Sequence, residues 1–89
     1  MVKPIRFFFK RVAMVVHEDV KLGKYEHYRG KLYEVLGVAR HSETLETFVV
    51  YRALYGENDL WVRPLSMFLE KIEIDGEKAP RFRFIEKRV

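Results

Sequence analysis

The stretch HYRGKLYEVLGVARHSETLETFVVYRALYGENDLWVRPLSMF, His27 to Phe68, decides the fold of this 89-residue chain. Its apolar and aromatic residues recur with a period of two rather than 3.6, the signature of strands with one buried face. Working outward from it, strands are expected near 25–29, 32–40, 47–55, 60–63 and 70–74 in one curled antiparallel sheet, with a further alternation at Arg81–Ile85. Gly30-Lys31, His41–Thr44 and Gly56–Asp59 read as turns because Gly, Asn, Asp and Ser favour the required backbone conformations. Gly37, in the middle of the longest strand, predicts a bend or bulge. In that reading Tyr33, Val35, Gly37 and Ala39 share one face and Glu34, Leu36, Val38 and Arg40 the other.

After Pro64 the period changes. Leu65, Phe68 and Leu69 fall at i, i+3 and i+4, enough for one helical turn opened by proline. Asp75-Gly76 is a tight-turn pair. Short strands with a single helical turn before a late one predict an all-β fold, a small, strongly bent, antiparallel SH3-like barrel, which protects most sheet edges. The expected organisation is a basic-aromatic extension over 1–20, the barrel over 21–85 and a basic tail over 86–89.

Composition narrows the chemistry. A chain of this length forms one domain and buries roughly 60% of its unfolded surface. The seven Phe, five Tyr and one Trp supply large buried area from few residues. The absence of Cys excludes a disulfide scaffold, thiolate metal sites and a thiol nucleophile, and suits a cytoplasmic location. The net charge of +4 invites a nucleic-acid reading, but residues 25–79 carry seven basic and ten acidic side chains, a balance of −3. The basic excess lies in the two ends. An RNA- or DNA-binding module using those ends is therefore an alternative rather than the preferred reading.

The same block resembles a family of small bacterial domains of unknown function. In this chain the pattern runs GKYEHYRG (Gly23–Gly30), YEVLGVARHSET (Tyr33–Thr44), VVYRALYG (Val49–Gly56) and LWVRPL (Leu60–Leu65). It continues with Phe68, Asp75-Gly76 and Pro80–Phe82. The resemblance spans 23 to about 82 and implies an architecture but no reaction. The segment before Val20 and the basic C-terminal stretch have no place in the pattern.

Lys10 and Arg11 interrupt the apolar run of Phe7–Phe9, too short for a secretory signal or a membrane span. Three readings stand for this segment. It is a membrane-surface or partner-binding stretch, an element packed on the barrel, or sequence upstream of a start at Met14. The barrel is expected to fold from Met14 onward.

Catalytic candidates are few. Ser42 follows His41, and adjacent residues on an extended chain face opposite ways, so the pair makes a poor nucleophile and base. His41 and Glu43, two residues apart, share a face that His27 on the preceding strand could approach, which makes a small metal-dependent enzyme using His41 and Glu43 a second alternative. No clear third ligand supports it, so no metal and no cofactor are expected. The arginines carry more weight. Arg40, Arg52 and Arg63 lie in or at the ends of strands that otherwise read as core, and a buried guanidinium requires a carboxylate or a bound anion. Glu34, Glu43 and Glu46 are the candidate internal partners. The expected function is non-catalytic: a binding or accessory module recognising a small planar anion or a protein partner through Arg40, His41, Glu43, Arg52, Trp61 and Arg63.

Overall fold

The computed structural model describes residues 20–87, and the sections below concern those residues. The basic-aromatic segment up to residue 19 and the last two residues lie outside them, as do the readings attached to that segment.

The alternating block folds as expected, into β1 (Gly23–His27), β2 (Leu32–Arg40), β3 (Thr47–Ala53) and β4 (Leu60–Pro64). One helical turn, α1 (Leu65–Phe68), follows, then β5 (Lys71–Ile74), β6 (Glu77–Pro80) and β7 (Phe82–Lys87). All ladders are antiparallel, and the main sheet has the order β4-β3-β2-β1-β7. The fold is all-β, as the sequence predicts. One strand differs from expectation: β5 leaves the main sheet and pairs with β6. Asp75 and Gly76, both at positive φ (52° and 84°), form a two-residue turn that commits 71–74 to its nearest neighbour. The place in the main sheet goes to β7, which pairs with β1.

The predicted irregularity at Gly37 is present as a register shift between Val35 and Gly37. It changes the phase of β2. Before it, Tyr33 and Val35 face inward opposite Ala53 and Tyr51; after it, Val38 takes the inward position opposite Val49. Val38 thus packs on the core, whereas Ala39 is exposed. A single extra residue is enough to exchange the two faces of a strand.

The concave face holds the core: Val20, Tyr25, Val35, Val49, Tyr51, Phe68 and Phe82. Phe68 is carried onto it by α1 and stacks on Phe82 with centroids 4.3 Å apart and planes at 8°. Edge-on contacts from Tyr25 and Tyr51 surround it, at 5.3 and 5.6 Å. Burying one such ring contributes about 2–3 kcal/mol. The Tyr25 hydroxyl donates to the Lys21 carbonyl (2.8 Å) and accepts from the Lys21 amide (3.1 Å), fixing the lead-in to β1 so that Val20 reaches the core. β4 and β7 are the edges of the main sheet, and side chains bridge them. Arg63 of β4 places its Cζ 5.5 Å from the ring centroid of Phe82 on β7.

Candidate functional site

The register assigns each expected site residue to a face. Val49 pairs with Arg63 and Tyr51 with Trp61, so Arg63 and Trp61 share the concave side with the core. Arg52 pairs with Leu60, one step out of phase, and projects from the convex side. Arg52, Trp61 and Arg63 therefore do not line one patch, because adjacent strand positions alternate faces. Arg52 has a local occupation: its Nη1 donates to the Asn58 carbonyl (3.0 Å), inside the β3–β4 turn. Asn58, at φ 58°, also sends its side-chain amide to the Ala53 carbonyl (3.0 Å), which ends β3 two residues before the expected Tyr55.

Arg40, His41 and Glu43 are exposed beyond the last core contacts of β2. His41 Nδ1 accepts from the backbone amides of Glu43 (3.1 Å) and Thr44 (3.2 Å). Its amide donates to the Glu46 carbonyl and its carbonyl accepts from the Leu45 amide, both at 2.8 Å. The ring is the cap of a tight loop that drives Leu45 to φ 66°. His27 lies at the opposite end of β2 from His41, roughly 25 Å along the strand. No cluster of three metal-ligating side chains exists among the described residues.

The arrangement with chemical content surrounds Arg63. Its guanidinium is half-buried; Nε donates to the Tyr51 hydroxyl (3.2 Å) and the group lies over Phe82. Among the described residues no carboxylate pairs with it; the ion pairs there are Lys24–Glu86, Arg81–Glu70 and Arg83–Glu26. Tyr33 packs edge-on against Tyr51, Tyr55 and Phe82, with centroids 5.4, 5.4 and 5.7 Å away. The Tyr33 and Tyr55 hydroxyls share a hydrogen bond of 2.5 Å, and Lys31 Nζ sits 4.6 Å from the Tyr55 ring centroid. His27 completes the wall, its ring 5.0 Å from that of Phe82.

The electrostatics agree with a cationic, partly desolvated cup. Burial lowers the His27 pKa, and the positive fields of Arg63, Arg81 and Arg29 lower it further. Burial and the hydrogen bond with Tyr55 push Tyr33 up to about 12, against the opposing pull of Arg63. At neutral pH the Tyr33 hydroxyl of the cup is therefore protonated. Arg81, whose Nη2 binds Glu70 (3.0 Å), leaves its buried Nε without a hydrogen-bond partner.

Of the six expected residues, Arg63 and Trp61 share the concave face, Arg52 projects from the other and Arg40, His41 and Glu43 lie beyond the core. Sequence reading placed Tyr33 in the core and Tyr51 or Tyr55 at the margin of an arginine patch; it missed His27 beside Arg63 and Lys31 over Tyr55. The alternation of Tyr25 with His27 marks a common face, but nothing in the sequence aligns that face with β4.

No curated protein matches the chain. A crystal structure of a DUF1653 protein from Bordetella bronchiseptica is similar, with 34% identity, a TM-score of 0.72, and coverage of 81% of this chain and 95% of that one. The sequence profile of DUF1653, a family of proteins of unknown function, matches residues 23–84, which is the whole described sheet apart from the last three residues of β7. With its sheet, its turn signals and this match in agreement, the chain belongs to the DUF1653 family.

Proposed function

We propose that this domain is a binding module whose concave face takes a small planar anion against Arg63. The observation that carries the reading is a half-buried guanidinium, held by the Tyr51 hydroxyl and the Phe82 ring, with no described carboxylate paired to it. Desolvating a guanidinium is costly unless an anion compensates it, and its planar fork suits carboxylate or phosphate. Tyr33 and Tyr55 offer hydroxyls beside it. Trp61, half-exposed at 50% on the same face, offers a ring for stacking. Arg63 is the anion anchor, the tyrosines orient, and Trp61 covers the ligand plane.

The test uses adenosine 5′-monophosphate and benzoate, which combine a planar ring with an anion. Titration followed by NMR is expected to shift Trp61 and Tyr33 resonances. Arg63→Met, which keeps the aliphatic stem, is expected to abolish those shifts while changing stability by less than about 1 kcal/mol. Arg52→Met is expected to retain them. Absence of shifts with both probes, or a loss of about 3–5 kcal/mol in Arg63→Met as for a broken buried ion pair, would overturn the reading. A steep salt dependence of oligonucleotide binding would favour the nucleic-acid alternative instead.

A further inference from the structure

The two edges of the main sheet are protected very differently. β7 carries Arg83, Glu86 and Lys87 exposed along its length, and the register shift opposite it displaces Ile85. Charges and bulges of this kind discourage pairing with another strand. β4 has neither. Leu60, Trp61 and Val62 are consecutive, uncharged and exposed at 54%, 50% and 60%, on both faces of the strand. Among the described residues no strand pairs with its outer side.

The hydrogen-bonding phase of that outer side can be read. The Ala53 amide donates to the Asp59 carbonyl (2.9 Å), in register with the Arg52–Leu60 pair. Asp59, Trp61 and Arg63 therefore direct their main-chain groups at β3, and Leu60 and Val62 direct theirs outward, since antiparallel pairs alternate in this respect. The missing N–H of Pro64 falls on the outward side, where it removes no bond to β3.

We infer that β4 pairs antiparallel with β4 of a second copy, about a two-fold axis at Trp61. This register sets Leu60 opposite the second copy's Val62 and uses every outward N–H and C=O of both residues. Trp61 meets its own symmetry mate at a non-hydrogen-bonded position, where side chains come closest. Asp59 stands opposite Arg63 on the same face, twice by symmetry, so the charges are complementary as an isologous contact requires. Two exposed apolar strands become the centre of one continuous sheet. Arg63 then has two claims on it, a ligand anion within the cup and Asp59 of the second copy at the rim. The test must separate them.

The experiment is sedimentation equilibrium of the full chain, with far-UV circular dichroism at the same concentrations. The pairing area is small, so a dissociation constant in the range of roughly 10–500 µM is expected. Because the chain has one Trp, an exciton couplet that grows with dimer fraction arises only if Trp61 meets its mate. Val62→Pro removes an outward N–H that β3 does not use and is expected to abolish both signals. Asp59→Lys faces Arg63 with a like charge and is expected to weaken association by at least about 10-fold. It leaves the nucleotide-induced shifts of the cup intact, whereas failure of the ligand reading alone would leave the dimer intact. A monomer at about 1 mM, well above the constant expected from interface size, would overturn the pairing. So would a dimer without the couplet, or one insensitive to Asp59→Lys. A monomer whose Trp61 is nevertheless shielded from iodide quenching would overturn it in favour of a segment of the same chain on β4.

Discussion

His27 and His41 each sit within two residues of an arginine in sequence, yet the fold gives them opposite work. His41 spends its ring nitrogen on the backbone amides of Glu43 and Thr44, and its neighbourhood is an exposed loop. His27 lies among Tyr28, Tyr33 and Phe82, in the field of three arginines drawn from three parts of the chain. The difference teaches that local spacing identifies turn chemistry well, because a cap acts over two or three residues. A cup of side chains assembled from β1, β2, β4 and β7 leaves no such local trace.

The strongest way to break this contrast is to remove the floor of the His27 side. Phe82→Ala abolishes the stack with Phe68 and the support beneath Arg63, and is expected to cost about 3–5 kcal/mol in urea unfolding. Phe48→Ala, whose half-buried ring lies 6.2 Å from that of His41, is expected to cost roughly half of that or less. Comparable losses would mean that the two sides contribute equally to the core.

A smaller effect tests the cap itself. His41→Ala loses an acceptor for two amides and is expected to cost about 1 kcal/mol, while His41→Asn, which can accept locally, restores most of it. Failure of asparagine to rescue would show that the ring, not the acceptor, matters. Arg52→Met should cost about 1 kcal/mol or less through its bond to Asn58, with no effect on the concave face.

The finest test is pH. The His27 pKa is lowered in the folded state, so its contribution is present above the unfolded value near 6.5 and is lost as pH falls through that range. His27→Gln should flatten the acid limb of stability. Tyr33, raised to about 12, works in the other direction: stability present below pH 10 is lost as pH climbs toward its folded value. Tyr33→Phe should flatten the alkaline limb. If neither limb changes, the cup is more solvated than its geometry indicates.

Much of the architecture was legible in the residues themselves. Period-two alternation located the strands, Pro64 with Leu65 and Phe68 located the helical turn, and Gly37 marked the bulge. These are local effects of sterics and side-chain periodicity, so a single chain reveals them. That β5 would turn back on β6 was half-written in Asp75-Gly76, whose left-handed conformations favour a two-residue hairpin. The three arginines drew attention because each lies in or at the end of an apolar strand; Arg40 proves exposed, whereas Arg52 and Arg63 are half-buried.

What only the tertiary structure decided is which face each arginine occupies and what stands across from it. One extra residue between Val35 and Gly37 reverses the phase of β2, and the β3–β4 register sets Arg63 inward and Arg52 outward. Register is fixed by turns and by the sum of many weak cross-strand contacts, and slipping one residue exchanges the two faces. The sequence therefore determined that this chain is a small antiparallel β-domain rich in aromatic rings. The meeting of Arg63 with Phe82, Tyr51 and the field around His27 arises only when β4 and β7, fourth and last among the strands, are brought within reach by the curl of the sheet.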